Sequence, residues 1–233
     1  MKIREYLNIT QEEIESRKHN IFIPICLKNK YFSINNILTP NVEKYLNWAL
    51  ENTKEKVLFI IPDKIQDTNY IVRNSSNSEE QNLRRALKDG KRIKEKLEEL
   101  VLSHPKKEQN KINIINWEEY EKEDYFCMKT THLVYKEFKN NKEFQDKVLE
   151  TSKTTVIDRE FSEKKHWRLC DYILDEFSLA YTGIENKEDS YKLFIYPESD
   201  STIYFLEEIK KAKIFPKLNK KLPKEKTSWA ILR

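Results

Sequence analysis

The chain has 233 residues, of which 38% are hydrophobic and 35% charged, and a net charge of +4. This composition excludes compositional disorder, and the length suits one α/β domain over 1–233 that buries roughly 70% of the surface its unfolded form exposes. So small a charge surplus also excludes polyanion binding by overall balance, so any affinity for nucleic acid has to come from local clustering.

In chain order, the opening MKIREYLNITQEEIESRKHN contains acids and no apolar h-region, and no later run reaches the length of a membrane span; a cytoplasmic protein without a membrane partner is expected. IFIPIC, Ile21 to Cys26, is the first predicted strand, and KVLFIIPD, Lys56 to Asp63, the second. Between them VEKYLNWALENT repeats Val42, Leu46, Ala49 and Leu50 at helical spacing. The polar loop RNSSNSEE leads into a long helix, with Ser78 placed as its N-cap and Glu79 and Glu80 at its positive end. KINIINW and YKLFIYP are further strands, the latter preceded by the helical HWRLCDYILDEFSLAY, and TSWAILR is one more, expected at a sheet edge. Strands alternating with helices predict a Rossmann-like α/β fold, a mostly parallel sheet with helices on both faces.

The only glycines are Gly90 and Gly183, so no glycine-rich phosphate loop exists, no nucleotide cofactor is expected, and a substrate has to arrive already activated. Cys26, Cys127 and Cys170 are an odd, widely spaced set that suits reduced thiols. With His19, His104, His132 and His166 they form no metal-ligand spacing, so no metal is expected.

The long helix, LRRALKDGKRIKEKLEELV, puts Leu83, Ala86, Leu87, Gly90, Ile93, Leu97, Leu100 and Val101 on one side and Arg84, Arg85, Lys88, Lys91, Arg92 and Lys96 on the other. The bases crowd the first turns, with only Asp89 and Glu95 to offset them, which fits either a solvated face or a phosphate-backbone surface. Gly90 costs the helix about 1 kcal/mol relative to Ala, and close approach of another backbone would explain it.

Three further features stand where open α/β sheets form their binding crevice or can face it. Cys26 ends the first strand, although free cysteine is also a common core residue. Tyr172 and Glu176 in DYILDEF share a helix face at i,i+4 and can address one ligand, though such pairs are also common on surfaces. Tyr196 ends an apolar strand before Pro197, which removes a ladder donor and terminates pairing.

Together FIPICLKNKYFS, LRRALKDGKR, DYILDE and Tyr196-Pro197 resemble the tRNA-dependent cyclodipeptide synthases, over about Ile21 to Leu206. The resemblance implies a domain similar to the catalytic domains of tyrosyl- and tryptophanyl-tRNA synthetases, those of class Ic. It implies a nucleophile at Cys26, where the family has serine, with Pro24 and Asn29 at flanking motif positions. Tyr172 and Glu176 match the residues that hold the aminoacyl ammonium, and Tyr196 the tyrosine of positioning and proton relay. Tyr196-Pro197 suits the Tyr-Pro branch, although Asn29 keeps the asparagine of the other branch. The basic face of the long helix would be the tRNA surface. By strand alignment, Phe22, Pro24, Leu58, Ile60, Leu179 and Phe194 line the first aminoacyl pocket or are plain core. Asp158 and Arg159 fall near the second aminoacyl group or form a surface pair.

The implied chemistry is acyl transfer from two aminoacyl-tRNAs through an acyl-enzyme on Cys26, with release of a diketopiperazine by a monomer that needs no cofactor. The rival from another class is a non-catalytic tRNA-binding module of the same fold. A cysteine hydrolase would require a histidine base, and neither His19 nor His166 stands in a recognisable nucleophile context.

Overall fold

A computed structural model of the chain describes residues 3–26, 40–73, 77–155, 162–197, 201–224 and 226–232. Its elements are β1 (Ile3–Leu7), α1 (Gln11–Glu15), β2 (Asn20–Pro24), α2 (Pro40–Asn52), β3 (Val57–Ile61), a 3-10 turn (Lys64–Gln66), α3 (Asp67–Arg73), α4 (Glu79–Leu102), α5 (Lys106–Gln109), β4 (Ile112–Asn116), α6 (Trp117–Glu123), α7 (Cys127–Asn140), α8 (Lys142–Thr155), α9 (Glu163–Thr182), β5 (Ile184–Glu185), β6 (Ser190–Tyr196), α10 (Ser201–Lys210), α11 (Pro216–Asn219) and β7 (Ser228–Leu232).

The strands form one sheet in the order β1-β7-β6-β2-β3-β4, with β5 also paired to β6. From β7 to β4 every neighbour is parallel; β1 and β5 are antiparallel additions. β2 and β3 read NIFIP and VLFII and are buried at every position, as strands covered on both faces must be. The period of two then divides the core. Phe22, Leu58, Ile60 and Phe194 pack with side chains of α6 to α11, whereas Ile21, Ile23, Val57, Phe59 and Ile61 pack with α1, α2, α3 and α4.

TSWAILR is not an edge. β7 lies inside the sheet, parallel to β6 through Leu193↔Ser228 and antiparallel to β1 through Leu7↔Trp229. The edge is IREYL, whose Arg4 and Glu5 suit a strand with one row of unpaired groups.

Ser78 caps α4 as expected: its hydroxyl accepts from the Gln81 N–H, and the Gln81 side chain returns the bond to the Ser78 N–H. The apolar stripe is narrower than predicted. Ala86, Gly90, Ile93, Leu97 and Leu100 are buried, while Leu87, turned about 100° from Ala86, is 43% exposed beside the basic face. Gly90 meets a side chain and not a backbone, since a Cβ there would collide with the Cβ and carboxyl of Asp63. At the end of α9, Gly183 takes φ +72° and the chain turns back into β5 against the Tyr191 carbonyl, where a side chain would not fit. Among the described residues no helix is long and apolar enough to cross a membrane.

Candidate active site

β2 and β6 are parallel neighbours, so Cys26 and Tyr196 emerge at the same, carboxyl edge of the sheet. The Ile25 N–H still donates to the Ile60 carbonyl at 2.8 Å, and Cys26 is the next residue, partly exposed. The other thiols are different. Cys127 and Cys170 are buried, and that burial pushes both up to about 12.

Helix α9 packs against the 3-10 turn and α3, which follow the carboxyl end of β3, and carries Tyr172 and Glu176 one turn apart, both partly exposed. Burial raises the Tyr172 phenol well above its usual pKa, and Glu176, Cys26 and Tyr196 raise it further in that order. One phenol therefore lies within electrostatic reach of the other three predicted groups, which the sequence scatters over 170 positions between Cys26 and Tyr196, on three elements.

The stretch between the second strand and the long helix carries no motif, yet it supplies three more groups. Gln66 is fully buried, and its Nε2 donates to the Tyr172 hydroxyl at 3.1 Å; Asn69 Nδ2 donates to Gln66 Oε1 at 2.9 Å. Tyr70, also fully buried, donates its hydroxyl proton to Asp89 of α4 and carries the Arg85 guanidinium 5.2 Å from its ring centre. Burial first, and then Asp89, raise its pKa; Cys26 adds a smaller contribution, so Tyr70 stands between the thiol and the basic helix. The available signal was position: DKIQDTNY follows the carboxyl end of a central parallel strand, where binding crevices form.

The residues proposed to line an aminoacyl pocket are interior. Phe22, Leu58, Ile60, Leu179 and Phe194 are at most 4% exposed, Pro24 is buried, and Phe22 meets Phe194 edge-on at 4.8 Å. Leu58 also lines a cavity of about 250 Å³ with Asn113 and Tyr191. Asn29, Asp158 and Arg159 lie outside the described residues. On α4, Arg84, Arg85, Lys88, Lys91 and Arg92 are exposed and Lys96 is partly buried. Arg84 pairs with Glu80 at 2.6 Å, and Arg92 stands 3.8 Å from Asp89.

The family model for cyclodipeptide synthase matches residues 5–181. The chain belongs to the cyclodipeptide synthase family. Members transfer aminoacyl groups from aminoacyl-tRNA, so this cyclodipeptide synthase is an enzyme and not a passive RNA-binding module. No curated protein matches its sequence. Among solved structures it is similar to a cyclodipeptide synthase from Bacillus thermoamylovorans, at 16% identity and TM-score 0.72 over 95% of this chain and 91% of that one. A Mycobacterium tuberculosis protein, whose structure relates cyclodipeptide synthetases to type I tRNA synthetases, is 16% identical with TM-score 0.64 over 83% and 80%. A synthase from Candidatus Glomeribacter gigasporarum, solved bound to Phe-tRNAPhe, is 15% identical with TM-score 0.54 over 91% and 88%. At such identities the likeness is one of fold, and the Rossmann-like expectation holds.

Proposed function

We propose that this synthase works as a ping-pong acyltransferase on two aminoacyl-tRNAs, with the Cys26 sulfur as its nucleophile. The observation that carries this reading is the meeting of Cys26, Tyr172, Glu176 and Tyr196 at the carboxyl edge of the sheet, while the other two cysteines are buried.

The sulfur attacks the ester carbonyl of the first aminoacyl-tRNA; the S–C bond forms, the C–O bond to the ribose breaks, and the ribose oxygen leaves with a proton. The amine of the bound aminoacyl group then attacks the ester of a second aminoacyl-tRNA, which gives a dipeptidyl thioester and a second free tRNA. Finally the terminal amine attacks the thioester carbonyl, closing the six-membered ring and returning the thiol. Each ester arrives activated, so no nucleotide is consumed.

Glu176 and the Tyr172 oxygen hold the ammonium of the first aminoacyl group, and Tyr196 passes a proton during transfer and ring closure. Tyr196-Pro197 places the chain with the Tyr-Pro branch. Arg84, Arg85, Lys88, Lys91, Arg92 and Lys96 receive the tRNA backbone, a role supported by their exposure and by the Phe-tRNAPhe complex of the Glomeribacter synthase. Asn29, Asp158 and Arg159 serve the aminoacyl groups, and Phe22, Pro24, Ile60, Leu179 and Phe194 form the apolar floor. The enzyme acts as a cytoplasmic, single-domain monomer.

The test is the intact-protein mass after exposure to a mixed aminoacyl-tRNA pool, with the products extracted for cyclic dipeptides. The expected result is an aminoacyl adduct that disappears in Cys26→Ala, together with a diketopiperazine. Product formation by Cys26→Ala at the native rate overturns the assignment.

A further inference from the structure

The site contains a buried amide that the reaction scheme leaves without a task. Gln66 is fully buried between the end of β3 and α9. Interiors seldom accept a polar group at this depth unless it is hydrogen-bonded. Both ends of this one are. Its Oε1 accepts from Asn69 Nδ2 at 2.9 Å, which fixes the amide so that Nε2 faces the Tyr172 hydroxyl at 3.1 Å. The amide has only N–H to offer on that side, so the phenol oxygen must accept and its own hydrogen must point away from Gln66. Glu176, Cys26 and Tyr196 are the other groups whose charge acts on this phenol.

We infer that Gln66, held by Asn69, is a positioning residue that sets the polarity of the Tyr172 hydroxyl for acyl transfer. This deepens the reading of Tyr172 given above and rests on it. A phenol with one lone pair taken by Gln66 keeps one to accept from the substrate ammonium, and it keeps its proton for Glu176 or for a departing oxygen. Without Gln66 the hydroxyl is free to rotate and spend its proton elsewhere. With an acceptor in place of the Gln66 amide the hydroxyl turns backwards and donates away from the substrate.

The measurement is a mutant cycle in the full-length enzyme, which reads single-turnover acylation of Cys26 and cyclic dipeptide formation. Gln66→Leu is expected to lower kcat/KM about tenfold, the scale of one buried hydrogen bond. Gln66→Glu, near in shape but opposite in polarity, is expected to lower it further. In a Tyr172→Phe background both Gln66 substitutions should have no added effect, because the hydroxyl they act through is gone. A purely structural amide would instead give losses that add to that of Tyr172→Phe, and that result overturns the inference while Tyr172 keeps its role. If Tyr172→Phe alone is fully active, the reading of Tyr172 itself fails. Thermal midpoints and tRNA binding are recorded for every variant; should Gln66→Leu unfold, Gln66→Met supplies the same arm of the cycle, and additive losses there are equally fatal.

Discussion

Cys26, Cys127 and Cys170 share one chemistry and differ in surroundings. The two buried thiols are held neutral by desolvation, whereas Cys26 is partly exposed beside polar groups. Brief alkylation of the folded enzyme should therefore add one label, at Cys26 by peptide mapping, and abolish product formation. Asp175 makes a different point. Burial pushes its carboxyl up to about 6, opposed by the Tyr135 hydroxyl that donates to it at 2.9 Å and reinforced by Asp171. The folded state thus holds this proton more tightly than the unfolded chain, so its contribution is complete below the ordinary carboxylate pKa and is lost as pH rises through about 6. Asp175→Asn, which keeps an acceptor for Tyr135, should be more stable than the parent at pH 8, by about 2 kcal/mol, and equal to it near pH 4. Denaturant unfolding at the two pH values checks this.

Helix α4 combines two functions in one element. Its inner stripe carries Gly90 against Asp63, whose Oδ1 accepts from the backbone N–H groups of Lys64 at 2.9 Å and Trp117 at 3.2 Å. A Gly-to-Ala change in a helix ordinarily stabilises by about 1 kcal/mol. Here it should destabilise, because the new Cβ displaces Asp63 and strips both N–H groups of their acceptor; a lower thermal midpoint for Gly90→Ala is the expected reading. On the outer face, changing Arg84, Arg85, Lys88 and Arg92 to Glu should abolish tRNA binding and flatten its salt dependence, with the fold intact by circular dichroism. Equal reversals at Lys213, Lys217, Lys220 and Lys221, which flank the segment that packs on the other side of the sheet through Leu218 and Leu222, should change binding little. If both sets have the same effect, binding follows net charge and not α4.

At the scale of the whole molecule, the two ends of the chain complete the sheet together. β1 covers the outer edge of β7, and the Asn8 side chain donates to the buried Glu207 of α10. Glu207 also pairs at 3.1 Å with Lys210, whose ammonium donates to the Thr227 carbonyl at 3.0 Å just before β7. Removing residues 1–9 should uncover β7 and leave Glu207 short of a donor. The expected outcome is a marked loss of thermal stability and concentration-dependent aggregation by light scattering, because an exposed apolar edge strand pairs with other chains.

The sequence by itself determined what depends on local periodicity. The buried runs IFIPIC, KVLFIIPD and YKLFIYP are strands, α4 starts at the Ser78 cap, and Tyr172 and Glu176 share a helix face, because spacings of two and of three to four residues are set by backbone geometry. IREYL is a charged edge strand with no apolar run to announce it, and without that partner TSWAILR reads as an edge. Only the tertiary structure decided who meets whom. It put Gln66 under the Tyr172 phenol, Asp63 against Gly90 and Tyr70 between Cys26 and the basic helix, contacts between residues 19 to 106 positions apart in the first and last cases where a bond records them. No periodicity encodes such pairs; they exist because parallel strands deliver their carboxyl ends to one edge, where segments remote in the chain become neighbours.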